Sequence, residues 1–381
     1  MKKQVYLDNA ATTWPKPFLV GEAMAAFIRD GAANPGRGGH SLSLAAGRSV
    51  FSCRQQLAAL LGVKDASRLV FTANATQALN MALLGVLRPG DHCITTSMEH
   101  NAVVRPLHHL AQQGVEVTVV PGTSDGSVET ALLAAAVRPN TRLIAMTHAS
   151  NVCGTLLPIA EVGAVARQAG LLLLVDAAQT AGVFPIDVEQ MGIDILAVPG
   201  HKSLLGPPGL GALFVGPRVH HIAPLVYGGT GSFSAEAEMP QIFPDRLEAG
   251  TLNTVGIVGL AAGLDYLATR GMADIYRHES GLIRQLRSGL ESIAKVRLYG
   301  QSLGAPLVAF NILDMGSTEV AHILDGEFGI ATRAGLHCAP LAHQTLGTSK
   351  QGVVRVSPGP FSTESDIDLL LEAVLEIAQV S

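Results

Sequence analysis

From residue 69 onward, short aliphatic and β-branched runs alternate with stretches whose apolar positions recur every three to four residues. The runs predict strands at Leu69–Thr72, Cys93–Thr96, Glu116–Val120, Leu143–Thr147, Leu171–Val175, Ile193–Val198 and Ala212–Val215. Helical patterns between them include TQALNMALLGVL (76–87) and PIAEVGAVARQAG (158–170). Most of these strands are apolar throughout rather than at alternate positions, the mark of burial on both faces. The expectation is an α/β fold with a mainly parallel seven-stranded sheet covered by helices. From about 265 the texture changes: two helical stretches reach about 294, and VRLYG and LVAFNIL read as strands. A helix over 317–328 follows, then the strand VVRVS and a C-terminal helix from about 362. This predicts a large domain over 21–264 and a smaller α+β domain over 265–381, which an N-terminal segment (1–20) joins.

The chain has 381 residues, a length that suits two domains. It is 48% hydrophobic and only 15% charged, with 41 Gly and 20 Pro, which excludes a disordered chain, a coiled coil and collagen. A net charge of −5, spread along the chain, offers no basic patch to nucleic acid or an acidic membrane. No apolar run approaches the roughly 18 residues that span a bilayer, and MKKQVYLDNAATT lacks the apolar segment of a secretory signal. The four cysteines at 53, 93, 153 and 338 include no CxxC pair, so neither a disulfide framework nor a structural zinc site is expected. No metal is expected. The expectation is a reduced, soluble, cytoplasmic protein.

In open α/β sheets, ligands collect beyond the carboxyl ends of the strands. Here LVFT leads into Ala73-Asn74-Ala75-Thr76-Gln77, and CITT into Ser97, Glu99, His100 and Asn101. LIAMT leads into His148, Ser150 and Asn151, LLLLV into Asp176 and Gln179, and ILAV into Gly200-His201-Lys202-Ser203. Thr76 either caps a helix or adds its hydroxyl to helix-terminal N–H groups that hold a phosphate. Asp176 either caps a turn or, behind five apolar residues, is partly desolvated and requires a cation. Lys202 is either a surface charge or a partly buried amine able to form a Schiff base. His100 is either a satisfied loop histidine or a catalyst. GHKS is not the end of a Walker A loop, and no GxGxxG follows the first strand, which counts against a nucleotide-binding oxidoreductase. A lysine for an aldehyde, an aspartate for a pyridinium nitrogen and a helix N-terminus for a phosphate together describe pyridoxal 5′-phosphate.

The order and wording of the motifs resemble the cysteine desulfurase branch of the class-V aminotransferases, pyridoxal-phosphate enzymes of fold-type I. The resemblance runs through YLDNAATT (6–13), NPGRGGHSLS (34–43), NATQALN (74–80), MEHNAVVRP (98–106) and SNVCGT (150–155). It continues through VDAAQTAG (175–182), GHKSLLGPPGLG (200–211), EAGTLNT (248–254) and RAGLHCAP (333–340). It implies that Lys202 carries the cofactor, that Asp176 pairs with the ring nitrogen and that Gln179 reaches the phenolic oxygen. It also implies that His100 stacks on the ring and that Thr76, beside Ala75, binds phosphate together with His201. Thr251 resembles a threonine that reaches the phosphate of a neighbouring subunit, which implies a homodimer. Asn151 and Arg355 resemble the pair that positions the substrate carboxylate, a task suited to the planar fork of arginine. Arg333 resembles a second arginine near the catalytic cysteine.

One position departs from the pattern. Many relatives carry Ser or Thr two residues before the histidine of GHK, and here Pro199 supplies neither hydroxyl nor N–H. Cys53, Cys93 and Cys153 read as small buried hydrophobes. Cys338 instead lies in a Gly/Pro-punctuated loop with His337 and Arg333, and nearby cations favour the nucleophilic thiolate. The short RxGxHCAP form resembles the compact-loop subgroup, which implies a dedicated sulfur-acceptor protein. The implied reaction turns L-cysteine into L-alanine with the sulfur held on Cys338 as a persulfide. The alternatives are a selenocysteine lyase, a cysteine sulfinate desulfinase or another class-V enzyme, and a cofactor-binding sulfur-carrier scaffold without turnover.

Overall fold

The computed structural model describes residues 4–36 and 38–380; Arg37 of the NPGRGGHSLS stretch lies outside them, as do the first three residues. The chain opens with β1 (Val5–Tyr6), α1 (Phe18–Gly31) and α2 (Ser41–Leu60). Next come β2 (Leu69–Thr72), α3 (Ala75–Val86), β3 (His92–Thr96), α4 (Asn101–Gln112), β4 (Glu116–Val120), α5 (Thr130–Ala135) and β5 (Thr141–Thr147). They are followed by α6 (Ile159–Gln168), β6 (Leu172–Asp176), β7 (Ile195–Pro199), β8 (Gly211–Val215), α7 (Thr254–Arg270) and α8 (Met272–Glu291). The remainder is β9 (Val296–Tyr299), β10 (Val308–Ile312), α9 (Ser317–Phe328), β11 (Ile330–Ala331), β12 (Arg333–Gly335), α10 (Pro340–Thr345), β13 (Val353–Val356) and α11 (Glu364–Val380).

The seven strands from β2 to β8 form one sheet in the order β2-β8-β7-β6-β5-β3-β4. Only β8 runs antiparallel to its neighbours. Each lies within two residues of its expected bounds. Successive side chains of a strand point to opposite faces, and the core divides accordingly. Leu173, Val175, Leu196 and Val198 pack on one face with Leu57 of α2, Val162 of α6 and Leu260 of α7. Leu172, Leu174, Ile195 and Ala197 pack on the other with Leu79 of α3 and Leu107 of α4. The continuous apolar strands are thus the physical consequence of helices on both sides.

A four-stranded antiparallel sheet, β12-β13-β10-β9, packs against α8, α9 and α11. Its apolar cluster also takes Val5 and Leu7 from the other end of the chain, beside Leu286, Phe310 and Val356. β1 pairs parallel with β11, and Ser357 N–H donates to the Leu7 carbonyl at 2.7 Å. Residue 264 falls inside α7, and the break between α7 and α8 is Gly271, whose φ of +84° suits glycine. Among the described residues no helix is long and apolar enough to cross a membrane.

Candidate active site

The carboxyl ends of the parallel strands open onto a cavity of about 200 Å³. Its wall brings together Ala75, Thr76, His100, Asn151, Asp176, Gln179, His201 and Lys202, eight of the residues singled out by sequence. Pro199 lines it too, as the last residue of β7.

Asp176 ends β6, whose five residues are all buried, and accepts the Ala178 N–H at 2.9 Å. Burial pushes its carboxyl above the ordinary range, while the Ala178 N–H and the charge on Lys202 pull it back. A cationic partner in the cavity would restore the ionised form. Lys202 sits in a turn closed by Leu205 N–H on the Lys202 carbonyl and Gly206 N–H on the Gly200 carbonyl, each at 2.8 Å. Burial and then the field of Arg355 bring its amine down to about 8, against the pull of Asp176. Lys202 is therefore no surface charge.

Asn74, not Thr76, is the N-cap of α3: its Oδ1 accepts the Gln77 N–H at 2.9 Å and its carbonyl the Ala78 N–H at 3.2 Å. That leaves the Ala75 and Thr76 N–H groups at the mouth of the helix beside the Thr76 hydroxyl. His201 presents a buried Nδ1 without a hydrogen-bond partner. Its carbonyl accepts from Thr13 N–H at 3.2 Å and from Lys16 Nζ at 2.6 Å. Burial first, then the charges of Lys202 and Lys16, brings the imidazole down to about 4.

His100 caps α4, its Nδ1 accepting the Ala102 N–H at 3.0 Å. With Nδ1 an acceptor, the neutral ring carries its proton on Nε2. Burial, then the charge of Lys202, lowers its pKa to about 4, which keeps it neutral. Gln179 donates from Nε2 to the Ala10 carbonyl at 3.1 Å.

Cys338, Arg333 and Arg355 lie outside the lining of this cavity, and hydrogen bonds tie their loop and strand to it. Asn101 N–H donates to the Cys338 carbonyl at 2.7 Å, one residue from His100. Asn151 Nδ2 donates to the His337 carbonyl at 2.8 Å, and Arg355 donates to the Asn151 carbonyl at 2.8 Å. Cys338 is exposed, whereas Cys53, Cys93 and Cys153 are buried. His337 and Cys338 both adopt positive φ, +48° and +54°, a strained arrangement for residues bearing a Cβ.

Sequence reasoning missed Asp8, which joins the two arginines. Arg333 and Arg355 are paired across β12 and β13, and Asp8 takes Arg333 Nη2 at 2.8 Å and Arg355 Nη2 at 3.1 Å. The available signal was a carboxylate directly behind the apolar Val5-Tyr6-Leu7 run. Glu99, at a strand end noted above, also went unassigned. It is fully buried, accepts the Thr96 hydroxyl at 2.6 Å, and burial pushes its carboxyl up to about 8. Thr251 stands apart: it lines a different cavity of about 620 Å³ with Asn34, Arg54 and Glu248.

The donor set fits pyridoxal 5′-phosphate. A half-buried amine of lowered pKa suits an aldehyde, a desolvated carboxylate suits a ring nitrogen that must stay protonated, and α3 with His201 suits a phosphate.

The model of the class-V aminotransferase family matches residues 5–370. A probable cysteine desulfurase of Methanothermobacter thermautotrophicus is 37% identical over 99% of this chain and 96% of its own length. A cysteine desulfurase of Yersinia pestis is 36% identical over 99% of this chain and 94% of its own. Among solved structures, the apo cysteine desulfurase of Thermococcus onnurineus superposes with a TM-score of 0.92 at 31% identity, covering 99% of this chain and 95% of that one. The Escherichia coli cysteine desulfurase CsdA gives 0.89 at 32% identity, with the same coverage.

Proposed function

The chain belongs to the class-V aminotransferase family, in its cysteine desulfurase branch, and from that premise we propose that it converts L-cysteine to L-alanine with pyridoxal 5′-phosphate held at Lys202 and sulfur passed to Cys338. The observation that carries the reading is a half-buried amine of lowered pKa, a buried carboxylate and a capped helix N-terminus around one cavity. When bound, the cofactor supplies an aldehyde for amino groups and a ring that withdraws electrons from the substrate Cα.

The chain's own residues do the rest. Asp176 would hold the protonated ring nitrogen through a charge-assisted bond, and Gln179 would serve the phenolic oxygen. The α3 N-terminus, the Thr76 hydroxyl and His201 Nδ1 hold the phosphate. Arg355, whose buried Nε has no partner, takes the substrate carboxylate together with Asn151. The Lys202 amine takes the Cα proton, and neutral His100 moves protons from Nε2. The Cys338 thiolate then attacks the substrate sulfur. An S–S bond forms, the C–S bond breaks, the electron pair left on carbon takes a proton to complete the alanine methyl group, and Lys202 returns a proton to Cα.

The enzyme acts as a homodimer. Phe18, Leu19 and Ile28 of α1, Phe51 of α2 and Tyr227 all expose large apolar surface, which a second copy would cover. Thr251 would then serve the neighbouring site. Cys338, exposed on a short loop, passes sulfur to an acceptor protein that comes to it. Four free thiols suit a reducing compartment, and we place the reaction in the cytoplasm.

Two variants test this. The purified protein should absorb above about 400 nm, and Lys202→Ala should abolish that band. Cys338→Ser should keep the band but lose sulfide release from L-cysteine and the persulfide adduct at residue 338 seen by mass spectrometry. Unchanged sulfide release from Cys338→Ser would overturn the desulfurase assignment.

A further inference from the structure

Three charges meet where the N-terminal segment crosses the β12–β13 ladder. Arg333 and Arg355 stand directly opposite each other, an unfavourable pairing for like charges. Asp8 resolves it: Arg333 Nε donates to Asp8 Oδ2 at 2.9 Å, Arg333 Nη2 reaches the same oxygen at 2.8 Å, and Arg355 Nη2 donates to Oδ1 at 3.1 Å. The side chains of Arg355 and Asp8 are only 3% and 9% exposed, so water screens that pair poorly, whereas Arg333, 51% exposed, meets solvent on its outer side. Its net charge is +1. One substrate carboxylate at Arg355 neutralises it, and a second anionic group would find Arg333 already engaged.

We propose that Asp8 is a specificity-determining residue: it orients Arg355 for the substrate carboxylate and, by occupying Arg333, makes the site select an amino acid with an uncharged side chain over one with an anionic side chain such as a sulfinate. The proposal rests on the reading of Arg355 as the carboxylate receptor. Asp8 acts through the arginines and is a positioning residue, not a catalytic one.

The backbone around Asp8 is anchored independently of its carboxylate. Asn9 N–H donates to the Ser357 carbonyl at 3.1 Å, Ala10 N–H to Ser357 Oγ at 2.9 Å, and Ser357 N–H to the Leu7 carbonyl at 2.7 Å. Asp8→Asn therefore keeps the segment in place while raising the local charge to +2. Asp8→Glu restores the charge at the cost of one methylene.

The experiment titrates the cofactor absorbance of the holoenzyme with L-cysteine sulfinate and with L-serine, an uncharged analogue. It compares the native enzyme with Asp8→Asn, Asp8→Glu and Arg355→Lys. In Asp8→Asn the preference for sulfinate over serine should rise on the order of tenfold, and Asp8→Glu should return it toward the native ratio. A ratio of two dissociation constants is independent of the folded fraction, so a purely structural role would leave it flat. A flat or falling ratio in Asp8→Asn overturns the proposal. Arg355→Lys should weaken both amino acids alike; if it weakens neither, the carboxylate reading itself falls, whatever Asp8→Asn does.

Discussion

Replacing Glu248 by Gln tests how the EAGT segment, and with it Thr251, is held to the large sheet. Glu248 grips Arg54 through two parallel bonds, Nη1 to Oε1 at 2.7 Å and Nη2 to Oε2 at 3.0 Å. Oε1 also accepts the Phe71 N–H of β2 at 2.6 Å. Both side chains are 6% exposed, and the guanidinium sits 4.7 Å above the Phe71 ring. Glu248→Gln leaves Arg54 charged in a buried site, which costs about 3–5 kcal/mol. Gln keeps a carbonyl oxygen for the Phe71 N–H. Glu248→Ala abandons that donor as well and costs about 1–3 kcal/mol more. Removing both charges with Arg54→Met and Glu248→Leu should cost far less than the sum of the single changes, because neither charge is then stranded.

Urea unfolding followed by far-ultraviolet circular dichroism measures these differences, provided the slope with denaturant stays constant across the series. A cost below about 1 kcal/mol for Glu248→Gln would refute the reasoning. So would strict additivity of the paired substitution, since it would mean that the two groups do not interact.

Glu279 is 3% exposed, and burial pushes its carboxyl from the usual 4.5 up to about 8. The unfolded chain ionises at the lower value, so its contribution is full below about pH 4.5 and is lost as pH rises toward 8. Glu279→Gln should therefore gain stability over the native protein across that window; parallel stability–pH curves would contradict it. At Gly182, φ is +91° and a Cβ would lie 2.4 Å from the carbonyl oxygen of Ser203, the neighbour of Lys202. Gly182→Ala should cost roughly 2 kcal/mol or more and shift the cofactor absorbance. An unchanged spectrum and melting temperature would count against that contact. Asn151→Ala removes the 2.8 Å bond to the His337 carbonyl, and should weaken binding of unreactive amino acids about tenfold with cofactor affinity retained. Equal losses of cofactor and amino acid in titrations would show a general collapse instead.

The principal sheet was legible because a strand buried on both faces has to be apolar throughout, as Leu172–Val175 is. The cavity residues were legible for a related reason: each follows such a run, where a polar residue needs a purpose. β1, β11 and β12 were not, since two or three residues carry no period. Asp8 carries the same lesson. Its partners lie 325 and 347 residues away, and no local pattern announces a contact between the segment after β1 and the β12–β13 ladder. At α3, Asn74 and Thr76 are both good capping residues, and only the backbone decides that Asn74 takes the role.

The position of Cys338 follows from the way two chain segments share hydrogen bonds. Consecutive positive φ angles at His337 and Cys338 cost on the order of 1–3 kcal/mol each, so they persist only where the surroundings hold them. The surroundings are visible: the carbonyls of both residues are claimed from the sheet side, His337 by Asn151 Nδ2 and Cys338 by Asn101 N–H. Asn101 is the first residue of α4 and its N–H would otherwise lack an intrahelical acceptor, so the bond from Cys338 satisfies a helix end while fixing the loop. Ala339, next in sequence, is completely buried in the core of the large sheet. A loop held on one side by two carbonyl contacts and on the other by a buried methyl group cannot swing freely. The loop therefore presents the exposed Cys338 side chain from one fixed stretch of backbone, next to the start of α4.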